Sequence, residues 1–495
     1  MNRRLPIAAA AGLAAFSCAA HAQETPPAPA APRSVAFATP VERTLPNGLR
    51  VIVVERPGTG LVSARLLVKT GGEGDPENRA GLADLTATLL KQGGTTTRTP
   101  TQIAERIEAL GGSLDTGARW DASTASLDVL AANVRPAMEL LADVVLHPAF
   151  KPSEIERVRR ETLDELAVSL KSPGTLARLV AARALFRDSP YGHPLGGTLE
   201  SVKAINRDDL ARFHQRYYRP VDSVLVIGGD IKEDAAFALA QTLFSKWKAG
   251  LNPRLLVRGS GLGLRPAPAL APGGTHVLVV DKPDAGQAAV LVTAPGLART
   301  DPDYFRALVA NSVLGGGYSA RLNQEIRIKR GLSYGAGSAF DARRAVGPFV
   351  ASAQTKNESG AEVARILAAE VGRLASEPIT DTELVPRKAV LTGGFARGLE
   401  ATGGYVSQVA NLALYGLPLS EINRYITQVQ AVSAGDVQQF AGKRLGGAGL
   451  TVVIVGDAKK FRDDLSKNFP DAAVEVIPEA ELDLNRPGLR RTPPR

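Results

Sequence analysis

The stretch Asn206–Lys232, NRDDLARFHQRYYRPVDSVLVIGGDIK, has a second copy later in the chain. The copy reads SAGDVQQFAGKRLGGAGLTVVIVGDAK, and three residues match at one offset (436 − 209 = 227): Asp209 with Asp436, Phe213 with Phe440, and Asp230 with Asp457. Each copy predicts a helix, a short loop and a strand rich in β-branched residues, as buried strands are. The repeat therefore predicts two copies of one α+β module.

Coarser similarities set the extent of each module, since LRVIVVE and VSARLLVKTG resemble HVLVVDK and AAVLVTAPG. We expect an N-terminal module over 35–260, a Pro/Gly-rich linker over 261–274, a C-terminal module over 275–480 and a disordered tail over 481–495. Each module should hold an antiparallel sheet with helices packed on one face. The modules should enclose a cavity, between themselves or with a partner chain. Helices are predicted in the first module at 79–92, 101–110, 134–146, 153–170, 174–186 and 207–217.

The N-terminus has the pattern of a secretory signal. Two arginines and an apolar run precede a small-residue cleavage site, Ala20-His21-Ala22. We expect a signal peptide over 1–22, a disordered Pro-rich leader over 23–34 and a periplasmic protein. Cleavage removes Cys18, the only cysteine, so the mature chain must be stabilised without disulfides.

Composition argues against two classes of partner. The formal net charge is +9 and falls to +7 once the two signal arginines are removed. The basic residues are spread out and lack the interleaved aromatic residues of a nucleic-acid groove, so we expect no nucleic acid partner. No later stretch has eighteen consecutive apolar residues, so we expect no membrane insertion after signal cleavage.

Several strings resemble one peptidase family: RTLPNGLRVIVVE, LGGSLDTGARWD, HPAFKPSEIERVRRETLDEL, YGHPLGG, YYRPVDSVLVIGGD and LGGGYSARLNQEIRIKRGLSYGAGSAF. In this order and spacing the chain resembles the pitrilysin/insulinase family of zinc peptidases, in particular its two-module, mitochondrial-processing-peptidase-like branch. The resemblance covers nearly all of the chain after the signal. Active members carry His-x-x-Glu-His on a helix, where the two histidines bind zinc and the glutamate is the base.

The resemblance places these three family positions on Asp84, Ala87 and Thr88. Alanine cannot act as a base, and threonine is not a normal zinc ligand. Glu165 matches the family's more distant ligand by spacing, but one carboxylate does not retain zinc, and a helix-surface charge is the favoured interpretation. We therefore assign no catalytic residue, metal ligand or cofactor to this chain. The four mature histidines, expected to be structural or surface residues, are His147, His193, His214 and His276.

The second module retains other family features. Residues 319–330 predict a helix ended by Gly331, with Tyr334 just inside the next strand. The resemblance implies that Arg327 and Tyr334 are the family's pair that holds the substrate's backbone carbonyl. Spacing alone favours a helix-end arginine and an ordinary strand tyrosine, whereas the resemblance favours the substrate-binding role. Gly111–Asp121 matches the family's peptide-binding edge strand, and a plain strand is equally compatible.

The sequence thus leaves two main hypotheses. In the first, the chain is an exported, non-catalytic subunit of a heterodimeric metallopeptidase. A homologous partner would then supply zinc, and this chain would supply its Arg/Tyr pair to a peptide substrate. In the second, it is a purely structural or peptide-binding family member without a role in catalysis. An autonomous metallopeptidase is disfavoured because the base and the histidine pair are missing.

Overall fold

The computed structural model describes residues 37–248, 274–446 and 449–491. The expected signal peptide and leader, and nearly all of the expected linker, lie outside these residues. No helix among the described residues combines the length and hydropathy that crossing a membrane requires.

The first half of the chain contains the helices that the sequence predicts, with starts shifted by at most three residues. The predicted bounds 134–146 and 207–217 are those observed. The elements are β1 Val41–Thr44, β2 Arg50–Glu55, β3 Leu61–Val68, α1 Leu82–Gln92, α2 Pro100–Ala109, β4 Ser113–Ala118, β5 Ser123–Leu130, α3 Val134–Leu146, α4 Pro152–Ser169, α5 Pro173–Phe186, α6 Leu199–Ala204, α7 Arg207–Tyr217, β6 Ser223–Gly229 and α8 Glu233–Phe244.

Among the described residues, the second half has six strands and eight α-helices, as the first half does. Its first short helix, α10, continues into a π-helical segment, Gln324–Ile328. The elements are β7 His276–Asp281, β8 Ala288–Pro295, α9 Tyr304–Leu314, α10 Arg321–Asn323, β9 Ala336–Phe340, β10 Pro348–Thr355, α11 Gly360–Ser376, α12 Asp381–Glu400, α13 Thr402–Leu414, α14 Glu421–Ala431, α15 Ala434–Arg444, β11 Thr451–Gly456, α16 Arg462–Asn468 and β12 Ala473–Pro478.

Each half forms one six-stranded sheet. The strand orders are β1-β2-β6-β3-β5-β4 and β12-β7-β11-β8-β10-β9. In both sheets the central strand pairs parallel with one neighbour and antiparallel with the other. The sheets are therefore mixed rather than wholly antiparallel. Asp230 and Asp457 follow the equivalent strands β6 and β11, which confirms the predicted repeat.

The repeat extends to an ion pair that the sequence comparison did not include. Arg79 Nε lies 2.9 Å from Asp209 Oδ2, and Arg306 Nε lies 3.1 Å from Asp436 Oδ1. The two arginines are also 227 residues apart (306 − 79), and each aspartate belongs to a capping box. Both copies therefore begin this helix in the same way and attach it to the rest of the module by the same contact.

Each sheet packs against helices of its own half on one face and against a helix of the other half on the second face. α5, from the first half, covers β8 and β11 of the second sheet. α13, from the second half, covers β3 and β6 of the first sheet. This exchange explains why the strings SVLVIGG and TVVIVG are apolar throughout, since these strands are buried on both faces.

The C-terminal segment differs from the expected disordered tail. Leu482 and Leu489 are buried in the apolar cluster formed by α5 and the second sheet. Arg183 Nε donates to the carbonyl of Leu484 at 3.0 Å, and Thr198 Oγ1 donates to Asn485 Oδ1 at 2.9 Å. Three leucines of this stretch, Leu482, Leu484 and Leu489, pack against the cluster and, with these hydrogen bonds, hold the segment against the first half.

Candidate functional site

The helix that matches the family's zinc helix, α1, is fixed at its start by a buried carboxylate. Gly81 adopts a left-handed conformation (φ 89°) just before the helix. Asp75 accepts hydrogen bonds from the backbone N–H groups of Gly81 at 2.8 Å and Ala83 at 2.7 Å. Burial raises the pKa of Asp75 well above its usual range, although these two hydrogen bonds lower it. This cap therefore sets the start of helix α1 at Leu82, three residues later than the sequence predicts.

Asp84, at the position of the family's first ligand, remains close to Glu165. Burial raises the pKa of Asp84, a hydrogen bond from the backbone N–H of Ala118 opposes this effect, and the charge of Glu165 raises it further. Glu165 is exposed on α4. Two carboxylates at positions that match the family's ligand positions therefore lie near the end of β4.

The remaining residues do not fit a zinc ion. Ala87 is completely buried and has no group that can accept a proton. Thr88 is half-buried and offers only a hydroxyl, whereas zinc sites use imidazole, thiolate and carboxylate ligands. Within residues 37–248, 274–446 and 449–491, no group of three or more His, Cys, Asp or Glu side chains could hold a metal ion.

Two half-buried histidines have structural partners. His193 Nε2 lies 2.9 Å from the carbonyl oxygen of Gly72, and His214 Nε2 lies 2.8 Å from that of Val145. Burial lowers the pKa of both, that of His214 to about 4. The ring of His214 stacks on Tyr218, with centroids 4.6 Å apart.

The edge strand β4 borders this pair of carboxylates. It pairs only with β5, and no other backbone segment among the described residues pairs with its outer side. The equivalent edge of the second sheet is closed. There Gly315 accepts the N–H of Ser338 at 3.2 Å, and Asn323 Oδ1 accepts the N–H of Ala336 at 3.3 Å. Of these two edges, only β4 therefore remains available for an added strand.

Arg327 lies in the π-helical segment after α10, and its side chain is exposed. Its guanidinium carbon is 4.8 Å from the ring centroid of Tyr318, which is also exposed. The helical residues run from Arg321 to Ile328, shorter than the predicted 319–330, and Gly331 adopts the predicted left-handed conformation (φ 63°) three residues later. No carboxylate among the described residues forms an ion pair with Arg327, so this guanidinium is free to meet a ligand.

Tyr334 lies two residues before β9 rather than inside a strand. The reason is a local turn, in which Ser333 Oγ donates to the carbonyl of Gly335 and accepts its N–H. The side chain of Tyr334 is 89% exposed and lines a cavity of about 350 Å³. In the described part of the chain no hydrogen bond joins it to Arg327, so their joint role stays a prediction.

The sequence did not indicate a buried polar cluster where the halves meet. Arg344, between β9 and β10, donates from Nη1 to Glu73 Oε1 at 2.8 Å and from Nη2 to the carbonyls of Lys69 and Asp121 at 2.9 Å each. Its backbone N–H donates to Asp121 Oδ2 at 2.8 Å. Burial raises the pKa of Glu73 to about 7, opposed by Arg344 and assisted by the Asp121 charge.

Comparisons with known proteins identify the family and agree with this fold. The family model "Insulinase (Peptidase family M16)" matches residues 50–199, and "Peptidase M16 inactive domain" matches residues 204–391. An uncharacterized zinc protease of Mycobacterium leprae is 31% identical over 411 residues, which cover 82% of this chain and 90% of that protein.

Two solved structures extend the comparison. A peptidase M16 inactive domain from Pseudomonas fluorescens has a TM-score of 0.77 and 27% identity, and the match covers 84% of this chain and 98% of that one. A protease from Helicobacter pylori has a TM-score of 0.77 at 20% identity, covering 85% of this chain and 100% of that one, and shows the shared fold alone.

Proposed function

Because the chain belongs to the insulinase (M16) peptidase family, we propose that it is an exported, non-catalytic subunit of a heterodimeric metallopeptidase. Asp84, Ala87 and Thr88 stand at the zinc and base positions, so a homologous partner would supply both the metal and the base. This chain would contribute Arg327 and Tyr334, which would hold the backbone carbonyl of a peptide substrate.

The observation that carries the proposal is the exposure of Arg327 and Tyr334 in a chain whose zinc positions are replaced. A tyrosine that packs in a sheet buries its ring, but the ring of Tyr334 is almost entirely exposed. An arginine that only stabilises a fold usually has a carboxylate partner, as Arg321 has with Glu383 at 2.7 Å. Both side chains are therefore available to donate hydrogen bonds to an oxygen of a bound peptide.

The first experiment is co-purification of the mature chain from its native host. We expect a homologous chain with an intact His-x-x-Glu-His motif in the complex. The complex should contain zinc and cleave peptides, whereas this chain alone should do neither. Purification without such a partner, under conditions that preserve other periplasmic complexes, would contradict the heterodimer.

The second experiment tests the two side chains in that complex. Arg327→Ala and Tyr334→Phe should each lower the cleavage rate by about a hundred- to a thousandfold, as the loss of one oxyanion donor does. Lys329→Ala is the matched control, since Lys329 lies in the same exposed segment and pairs with Glu325. If both variants assemble normally and cleave at the wild-type rate, the assignment is wrong.

A second function, peptide binding without catalysis, is favoured by the free outer side of β4. The N–H of Ala118 points outward to Asp84, so by the alternation of an antiparallel pair the N–H of Thr116 also points outward. Thr116→Pro would remove this donor, whereas Thr116→Ala would keep it. Under this function the proline variant alone should lose binding of an extended peptide, with no partner chain required.

A further inference from the structure

We propose that the cavity beside Tyr334 binds a carboxylate of the peptide and that Arg178 is the residue that selects it. This inference rests on the proposed peptide-handling role of the same site, and it adds the chemical class of the ligand. The carboxylate belongs to an Asp or Glu side chain or to the C-terminus of the peptide.

The cavity exists because the exchanged helix α5 covers only part of the second sheet. α5 packs mainly on β8 and β11, so the neighbouring strand β10 keeps half-buried and exposed polar side chains, Ser352 and Gln354, on its open side. One wall is the segment 333–337, which carries Tyr334, and the other is the first turns of α5. The volume of about 350 Å³ accommodates a side chain with its flanking backbone.

The lining of this cavity carries positive charge without a compensating carboxylate. Arg178, on α5, is the lining residue with a formal charge, and no Asp or Glu is part of the lining. Its side chain is exposed, and its Nη2 donates to Thr175 Oγ1 at 3.1 Å. No described carboxylate lies within ion-pair distance of it, whereas Arg330 on the nearby surface is paired with Glu325. The guanidinium therefore retains donors for an anion that enters the cavity.

Neighbouring groups add hydrogen-bond donors beside Arg178. The side-chain amide nitrogen of Gln354 lies 2.4 Å from the position that a Cβ on Gly174 would occupy, so this glycine lets the amide approach α5 closely. Gln287 and Ser352 also line the cavity. A carboxylate can accept bonds from the guanidinium fork and from such an amide together, whereas a lysine or arginine side chain would meet only repulsion from Arg178.

The test is fluorescence anisotropy with the full mature chain and three labelled peptides. The peptides are built from Val, Thr and Tyr and differ only in one central residue, which is Glu, Gln or Lys. The N-terminus is acetylated and the C-terminus amidated, and a further Gln peptide keeps its free C-terminus. We expect the Glu peptide, the free-carboxylate peptide or both to bind about three- to tenfold more tightly than the blocked Gln peptide at low salt. Arg178→Gln should abolish that preference.

Arg365→Gln is the matched control, because it removes the same charge from an exposed residue on α11, which packs on the opposite face of this sheet. A preference for the Glu peptide identifies an acidic side chain as the ligand, and a preference for the free-carboxylate peptide identifies a C-terminus. The inference is overturned if no peptide binds, if Arg178→Gln keeps the preference, or if Arg365→Gln also loses it. None of these results depends on a partner, so they are distinct from a failure of the heterodimer.

Discussion

Replacing Arg344 with alanine should weaken the contact between the two halves, and the loss should depend on pH. The guanidinium of Arg344 makes three hydrogen bonds to the first half, one to Glu73 and two to backbone carbonyls. The side chain of Glu73 is fully buried, and that of Arg344 is 29% exposed. Alanine keeps the backbone N–H bond to Asp121 but leaves Glu73 without its cation.

The pH dependence follows from the pKa of Glu73, which burial raises from 4.5 to about 7. Because the folded pKa lies above the unfolded value, the free energy of unfolding falls as the pH rises from about 4.5 to about 7. Arg344 lowers this pKa, so its removal raises the pKa further and extends the fall to higher pH. Each pH unit in that extension costs about 1.4 kcal/mol.

We therefore expect Arg344→Ala to cost about 2 kcal/mol at pH 6, where Glu73 is mostly protonated and the lost bonds to neutral groups dominate. At pH 8 the cost should rise to about 3 kcal/mol, the lower end for breaking a buried ion pair, because Arg344 is partly exposed. Besides Arg344, the titratable groups that interact electrostatically with Glu73 are Asp121, Asp75, Tyr191 and Tyr217.

Trp120 provides the assay, since its ring centroid lies 4.6 Å from the guanidinium carbon of Arg343 in the same loop. The chain has two tryptophans, so Trp247→Phe leaves Trp120 as the single reporter in urea titrations at pH 6 and pH 8. The control is Arg344→Ala in a Glu73→Gln background, where the difference between the two pH values should disappear. An equal cost at both pH values, or a difference that persists with glutamine, would refute the reasoning.

Three further outcomes are expected. Metal analysis of the purified chain should find no stoichiometric zinc, because the histidines and the glutamate of the family's zinc helix are replaced; about one tightly held zinc per chain would contradict this. Leu176→Ala, in α5, should cost about 2–5 kcal/mol in denaturant titrations because its side chain is buried against the second sheet, and a negligible cost would argue against that packing. N-terminal sequencing should find a mature chain that starts at Gln23; retained Met1 or a lipid on Cys18 would contradict signal cleavage.

The features that the sequence predicts are those whose signals are local. The repeated helix and strand could be recognised because a capping aspartate, a buried phenylalanine and an apolar run recur at fixed spacing. The left-handed conformation of Gly331 was also predictable, since glycine adopts it without a partner. The replacement of the zinc-binding residues could be recognised from the aligned motif alone.

The features that the sequence does not predict depend on distant partners. The parallel pairing of β2 with β6 joins strands at opposite ends of the first module, and periodicity carries no information about direction. The apolar residues of α5 predict a buried helix, but they do not indicate which of the two sheets it covers. Arg344 contacts Glu73 across 271 positions, and neither residue stands out in its local sequence. Arg178 becomes relevant only because α5 crosses to the second sheet.

The exchange of α5 and α13 also determines when the protein can finish folding during its synthesis. The face of the first sheet that α13 covers remains uncovered until residues 402–414 have left the ribosome, although the last strand of that sheet ends at Gly229. The first half therefore cannot mature as an independent folding unit ahead of the second, as the leading domain of a nascent chain usually does. Its exposed β-branched surface must be shielded from aggregation for most of translation, or, in an exported chain, until the whole polypeptide has emerged on the far side of the membrane.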